Sequence, residues 1–239
     1  MSRAQPEQQA PPVQKLRIRY AKRGRLRFTS HRDVSRAIER AVVRADIPMA
    51  YSSGFHPHPR ISYAGASPTG AASEAEYVEL GLAEQRDPAA VARELDAVLP
   101  DGLDVVVAVD AAASSAGSLS DLLTASHWRI ALGDTPADDV AAAVRTFLAT
   151  DSVPVERMTK KGLRTFDCRA AVVRMGVTAD GRLDLVLEHA TPAVRPDDVL
   201  TGLREVAGLA APPTALLTRL AQGPLDRETG EIGDPLAAR

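Results

Sequence analysis

The sequence predicts an α+β protein made of two tandem ferredoxin-like units, each with the element order β-α-β-β-α-β. Segments in which apolar and polar residues alternate, as in a half-buried strand, are interspersed with segments whose apolar residues recur at helical spacing. The same order of segments occurs twice, although the two halves share this pattern rather than their residues. With 239 residues, 45% of them apolar, the chain is long enough to bury a core in each unit.

The first unit is predicted over residues 15–110, after a Pro- and Gln-rich lead-in, residues 1–14, that is expected to be disordered. Residues 15–22 alternate between apolar and basic side chains, which predicts the first strand. A helix is expected to follow and to end at about Asp46, because Pro48 cannot continue it. The remaining elements are expected at 61–64 (strand), 76–82 (strand), 88–99 (helix) and 103–109 (strand).

The second unit is predicted over residues 119–221, after a linker of small residues at 111–118. Residues 164–175 are interpreted as one strand that follows a basic turn. The tail, residues 222–239, has no apolar periodicity and is expected to be flexible. The other elements expected here are strands at 127–132, 153–158, 183–187 and 215–221 and helices at 137–149 and 196–206.

Composition excludes several classes of protein. No run of about 18 apolar residues is present, so no membrane span is expected. The first 14 residues lack the apolar region of a secretory signal. Cys168 is the single cysteine, which excludes an intramolecular disulfide, a cysteine zinc site and a three-cysteine iron–sulfur cluster. We therefore expect a soluble cytoplasmic protein without a cofactor.

Charge is segregated along the chain although the net charge is only -2. Residues 15–60 hold twelve Lys or Arg against three Asp or Glu, whereas residues 61–150 hold four against fourteen. Residues 151–174 are basic again, with six Lys or Arg against three acids. Such asymmetry indicates either a polyanionic or acidic partner at one face, or two segments that neutralise each other within the fold.

The predicted first helix carries Arg32, Arg36, Arg40 and Arg44 at strict i,i+4 spacing, opposite its apolar residues. Like charges at this spacing repel each other by about 0.2–0.5 kcal/mol per pair. The arrangement costs helix stability, and contact with phosphates would offset that cost. We therefore expect this row of arginines to bind nucleic acid.

Other residues are expected to extend this surface. Lys15, Arg17 and Arg19 alternate along the first strand, so they are expected to share one face. Tyr51 and Phe55 lie in the loop that follows the helix, where they are expected either to stack on unpaired bases or to pack in the core. The predicted nucleic-acid-binding residues are Lys15, Arg17, Arg19, Lys22, Arg23, Arg32, Arg36, Arg40, Arg44, Tyr51, Phe55, Arg60, Lys160 and Lys161.

The histidines allow two further interpretations. His56 and His58 flank a proline, and with His31 they supply the three imidazoles of a zinc or iron site. Their alternative role is to donate hydrogen bonds to loop carbonyls, which we favour. His31 is also a candidate general base for metal-independent RNA cleavage, with Lys22 and Arg23 at the phosphate. Capping of the first helix is its simpler role, and no catalytic residue is assigned.

Specific motifs in the first half are too unusual to arise from composition, and two shorter ones lie in the second half. They are GRLRFTSHRD at 24–33, AIERA at 37–41, AYSSGFHPHPR at 50–60, ISYA at 61–64, PTG at 68–70, SEAEY at 73–77, TKKGLR at 159–164 and DCR at 167–169. On these motifs the chain resembles a bacterial family, the radical SAM-associated proteins defined by a domain of unknown function. Members are free-standing or form C-terminal appendages of radical SAM enzymes with cobalamin-binding regions, so the resemblance implies such an enzyme as a partner, without assigning an activity.

We expect a non-enzymatic accessory protein that binds nucleic acid, RNA rather than DNA. Two alternatives stay open at this point: a docking subunit of a radical SAM enzyme, and a metal-independent endoribonuclease of the duplicated ferredoxin-like type. The sequence does not determine the oligomeric state.

Overall fold

The computed structural model describes residues 8–159, 162–209, 211–212 and 215–238. The chain divides into two units: Met1–Asp121 together with Pro235–Arg239, and Leu122–Asp234. The predicted α+β class is confirmed, because both units combine helices with antiparallel strands. None of the helices in these described ranges has the length and apolar composition that a bilayer crossing requires.

In the first unit, the strands are hydrogen-bonded in the order β4-β1-β3-β2, and every neighbouring pair is antiparallel. A 3-10 turn, Gly24–Phe28, precedes the first helix. The elements in chain order are β1 (Gln14–Lys22), α1 (His31–Arg44), β2 (Ile61–Ala64), β3 (Ala72–Leu82), α2 (Pro88–Asp96) and β4 (Leu103–Asp110).

Local chemistry fixes both ends of α1. The Ser30 hydroxyl accepts a hydrogen bond from the backbone N–H of Asp33 at 3.3 Å, which caps the first turn. The helix ends at Arg44, two residues earlier than predicted, because Asp46 adopts a left-handed conformation with φ 52°. Its apolar side packs with α2 and with β1, β3 and β4 in one core, which includes Leu16, Ile18, Val34, Ile38, Val42, Leu80, Val91 and Leu95.

In the second unit, four strands are hydrogen-bonded in the order β10-β5-β9-β8, and β6 and β7 form a separate hairpin. A single helical turn, α3 (Leu119–Leu122), lies at the boundary between the units. The elements are β5 (Ala125–Ala131), α4 (Ala137–Leu148), β6 (Pro154–Thr159), β7 (Gly162–Asp167), β8 (Val172–Val177), β9 (Leu183–Glu188), α5 (Pro196–Ala207) and β10 (Leu216–Gly223).

The prediction of one strand over 164–175 is wrong, because the chain turns between β7 and β8. The Asp167 carboxylate accepts hydrogen bonds from the backbone N–H groups of Val153, Arg169 and Ala170 at 3.0–3.4 Å. An aspartate that binds the N–H groups following it stabilises a turn rather than a strand. The hairpin β6–β7 is therefore a separate two-stranded sheet between α4 and β8.

The segment predicted to be a flexible tail makes defined contacts in its described part. Asp226 accepts backbone hydrogen bonds from Glu228 and Thr229, and Leu225 forms an isolated bridge with Ile232. Leu236 belongs to the first unit and is buried.

Candidate nucleic-acid interface

The solvent side of α1 carries four arginines: Arg32, Arg36, Arg40 and Arg44, which we call the arginine face. All four are exposed, opposite the buried apolar side of the helix. Arg36 lies 3.9 Å from the Asp33 carboxylate. The other three form no ion pair within the part of the chain that the structure describes. The arginine face therefore leaves most of its positive charge available to a ligand.

A groove runs beside the arginine face, between α1 and the segment that follows α2. Its volume is about 250 Å³. Alanine, valine and leucine side chains form its apolar lining, and two guanidinium-bearing residues stand at its margin. The lining residues are Ala37, Arg40, Ala41, Arg44, Val98, Leu99 and Pro100. The groove can accept an apolar or planar group that is attached to an anion.

Three aromatic side chains are exposed, and all lie in the basic segment of the first unit. Phe28 is 66% exposed, Phe55 59% and Tyr51 42%. The chain has nine aromatic residues, all of them described, and the other six are buried or half-buried. Phe28 was not among the predicted binding residues. The glycine at position 24, which begins the 3-10 turn before α1, is the sequence feature that could have indicated its exposure.

The basic residues of β1 share a face, as predicted, but differ in their environment. Lys15 is exposed and forms an ion pair with Glu79 at 2.9 Å. Arg17 is only 5% exposed. Its guanidinium donates to Glu79, to Ser114 Oγ at 3.0 Å, and to the carbonyl oxygens of residues 115 and 117. Arg17 therefore holds the linker against the strand, a role that uses its donors within the protein.

The next three predicted ligands differ in exposure: Lys22 is buried, Arg19 is half-buried and Arg23 is exposed. Arg19 is half-buried, and its Nε has no hydrogen-bond partner among the described residues. Lys22 is 3% exposed, and its ammonium group donates to the carbonyl of Pro68 at 3.3 Å. Arg23 pairs with Glu74 and with Asp104, and these carboxylates raise the pKa of its guanidinium above the usual value. Lys22 and Arg23 therefore use hydrogen-bond donors within the protein.

The loop before β2 is an irregular hairpin. The Ser52 backbone N–H donates to the His58 carbonyl at 2.8 Å, and the His58 backbone N–H donates to the Ser52 hydroxyl at 3.0 Å. The Arg60 guanidinium donates to the carbonyl of Tyr51 at 3.2 Å, although the side chain stays exposed. His56 and His58 are both exposed. Over the described residues, no three His, Cys, Asp or Glu side chains are grouped as a metal site requires.

His31 lies at the first position of α1 and is exposed. Its ring meets the ring of Tyr63 edge to face, with centroids 5.2 Å apart. The Tyr63 hydroxyl donates to the carbonyl of Ser35 at 3.2 Å, and burial of the phenol is the main cause that raises its pKa to about 12. The contact helps to anchor β2 on α1, and the Lys22 ammonium expected beside His31 is instead used at Pro68.

The tip of the hairpin β6–β7 is the remaining predicted contact. Lys160 and Lys161 lie outside the described residues. Next to them, Met158 and Leu163 are paired across the hairpin and are both mostly exposed. Sequence reasoning singled out the basic residues of this tip and missed its apolar pair.

The chain belongs to the bacterial family described as "Uncharacterized protein conserved in bacteria (DUF2344)", whose model matches residues 15–196. The match runs from the second residue of β1 to Pro196, the first residue of α5. No curated protein matches the sequence.

Proposed function

We propose that this protein binds single-stranded RNA through the arginine face and the exposed aromatic residues of the same basic segment. The observation that carries the proposal is the row of four exposed arginines on α1, three of them without an ion pair in the described part of the chain. Guanidinium groups in a row match the repeated phosphates of a nucleic acid backbone. An RNA ligand also agrees with the cytoplasmic location expected from the sequence.

The composition of α1 supports a binding role over simple solvation. Only Asp33 and Glu39 provide negative charge on this helix, and both are exposed. Like charges at i,i+4 spacing destabilise a helix by about 0.2–0.5 kcal/mol per pair, so the arginines are unfavourable for the free protein. Phosphates at this face would relieve that repulsion and release counterions.

The aromatic side chains favour single-stranded RNA over a duplex. Unpaired bases stack on exposed aromatic rings, which cannot reach the bases of an intact helix. Phe28, Tyr51 and Phe55 all lie within the most basic segment of the chain. Proteins that bind single-stranded nucleic acid without sequence preference use basic residues to contact the phosphate backbone and aromatic rings to stack on the bases.

We also infer that both units have the ferredoxin-like fold. The strand orders β4-β1-β3-β2 and β10-β5-β9-β8 support this, because each follows the same scheme with fourth, first, third and second strands adjacent. In the second unit this scheme counts β5, β8, β9 and β10 and treats the hairpin as an insertion.

Association with a radical SAM enzyme, implied by the family resemblance, is the second candidate. The groove between α1 and the segment after α2 favours it, because apolar residues line the groove and arginines stand at its edge. Val43 adds a mostly exposed apolar side chain to the solvent side of α1. An acidic, partly apolar segment of an enzyme would fit this surface.

The double variant Arg36→Glu with Arg40→Glu tests the proposal. We expect its affinity for a fluorescent single-stranded oligoribonucleotide to fall more than about tenfold in anisotropy titrations, because two phosphate contacts become repulsive. Arg145→Glu with Arg204→Glu is the matched control, since it makes the same change in charge at exposed helical arginines of the second unit.

Equal RNA affinity in the wild type and the folded α1 double variant would contradict the proposal. Loss of a copurifying radical SAM enzyme in that variant, with RNA affinity unchanged, would favour the second candidate. Thermal unfolding checks the fold of each variant.

A further inference from the structure

A cluster of charged residues lies on one sheet face of the second unit. It consists of His127 and Arg129 on β5, Arg174 on β8 and Asp184 on β9, and we call it the Asp184 cluster. His127 and Arg129 are two residues apart on a strand, so their side chains leave the same face, opposite the buried Trp128. None of these four residues belongs to the predicted interface.

Asp184 lies at the centre of the cluster. Its Oδ2 is 2.7 Å from His127 Nε2 and 3.6 Å from an Arg129 nitrogen, and its Oδ1 is 3.4 Å from an Arg174 nitrogen. The histidine contact is a hydrogen bond, whereas the two arginine distances are longer than a good one. The carboxylate is 14% exposed and the Arg174 side chain 56%. Both guanidinium groups therefore lie near Asp184, and both keep N–H donors that this carboxylate does not use.

The cluster carries more positive than negative charge. Two arginines, which are always protonated, surround a single carboxylate, so these three side chains carry one excess positive charge. In addition, Arg129 Nε is buried and has no hydrogen-bond partner anywhere in the described ranges. A buried donor without an acceptor costs free energy, which an incoming acceptor would recover.

Gly176 leaves open space beside this charge. It pairs directly with Asp184 across β8 and β9, so its missing side chain would lie on the same face. A Cβ built at Gly176 meets no heavy atom within 4 Å. Arg174 lies on the same face, two residues earlier on the strand. We call this open space at Gly176, which lies on the same sheet face as Arg174 and across β9 from Arg129, the notch.

We infer that the Asp184 cluster and the notch at Gly176 form a binding site for a phosphodiester group of single-stranded RNA. Arg129 and Arg174 would donate to its non-bridging oxygens, and Asp184 would keep the two guanidinium groups in place, itself held by His127. The unbalanced positive charge equals the single negative charge of a phosphodiester. The inference rests on the proposed function, because it gives RNA bound by the first unit a second contact.

The variant Gly176→Val tests the site by filling the notch without changing any charge. Valine suits a strand, and the Cβ has room, so the fold is expected to be retained. We expect the affinity for a single-stranded uridine oligonucleotide to fall about three- to tenfold. Gly176→Ala, which leaves most of the notch open, is the control and should bind almost as the wild type does.

The variant Arg174→Gln tests the charge directly. It should weaken binding and lower the slope of log affinity against log salt by about one, as expected for one lost phosphate contact. Arg145→Gln, at an exposed helical arginine of the same unit, is its control and should leave the slope unchanged.

The outcomes separate this inference from the proposed function. Unchanged RNA affinity and salt slope in folded Gly176→Val and Arg174→Gln, with weakened binding in the α1 double variant, would overturn the inference alone. Unchanged affinity in all of these variants would overturn both. Calorimetric binding of inorganic phosphate that Gly176→Val abolishes, with RNA affinity unaffected, would assign the site to a free phosphate ligand and overturn the RNA inference.

Discussion

Neighbouring arginines of the first unit have different roles because their surroundings differ. Arg17 and Arg36 both come from segments whose spacing places basic residues on a single side. Arg36 stays in solvent, whereas Arg17 is covered by residues 114–117 and bound to Glu79. Periodicity predicts which way a side chain points, and it contains no information on a segment almost 100 residues away that covers it. That is why the face of β1 could be predicted from sequence and its burial could not.

Replacing Arg17 by Ala should destabilise the protein by about 3–5 kcal/mol, because it removes one partner of a buried ion pair and the donors that hold the linker. Urea denaturation followed by circular dichroism measures the change. Lys15→Ala removes the exposed partner of the same Glu79 and should cost less than about 1 kcal/mol. Equal effects of the two substitutions would contradict the structural role of Arg17.

Gly202 of α5 is a second residue whose role depends on close packing. An added Cβ would lie 2.7 Å from Cys168 Sγ, 2.9 Å from a Val153 methyl carbon and 3.0 Å from a Phe147 ring carbon. Gly202→Ala is therefore expected to destabilise the protein by about 1–3 kcal/mol, although alanine favours a helix. Combining it with Cys168→Ala, which removes the nearest atom, should recover part of this loss in a double-mutant cycle. A stabilised single variant would contradict the packing.

At the scale of elements, the spacing of apolar residues and arginines predicted α1 and its two faces. Its end is two residues earlier, since the left-handed residue Asp46 was not visible as a helix stop. The boundary between β7 and β8 was not predicted, because apolar and polar residues continue to alternate through much of 164–175. The turn between the two strands is stabilised by the carboxylate of Asp167. Local hydrogen bonds from one side chain override a weak strand pattern.

Asp167→Ala should destabilise the turn between β7 and β8, because three backbone N–H groups lose their acceptor. Burial opposes ionisation of this carboxyl, but the donors from Val153, Ala170 and Arg169 outweigh it, so its pKa is below the usual value. A depressed folded-state pKa contributes stability above the unfolded value of about 3.9, which is lost as pH falls through the folded-state pKa. Chemical denaturation of the wild type and the variant between pH 7 and pH 2 measures this. A constant difference in unfolding free energy over that range would contradict the assignment.

At the scale of the whole molecule, the segregation of charge has two explanations that apply to different parts of the first unit. Around β1, basic residues pair with Glu74, Glu79 and Asp104 from the acidic segment, so the charges neutralise each other within the fold. On α1, the exposed arginines face solvent with little compensation. The sequence predicted both explanations but could not assign either to particular residues, because strand pairing decides which basic residues form ion pairs with acidic ones. The second unit was predicted as a pattern, whereas its Asp184 cluster is brought together only by the register of β5, β8 and β9.

The salt dependence of RNA binding tests the central claim, that the arginine face contacts phosphates. Anisotropy titrations of a single-stranded oligoribonucleotide are made at several salt concentrations with the wild type, Arg36→Gln, Arg40→Gln and the control Arg145→Gln. We expect log affinity to fall linearly with log salt, and each α1 substitution to lower the slope by about one, with no change in the control. Slopes for the folded α1 variants equal to that of the wild type would contradict the claim.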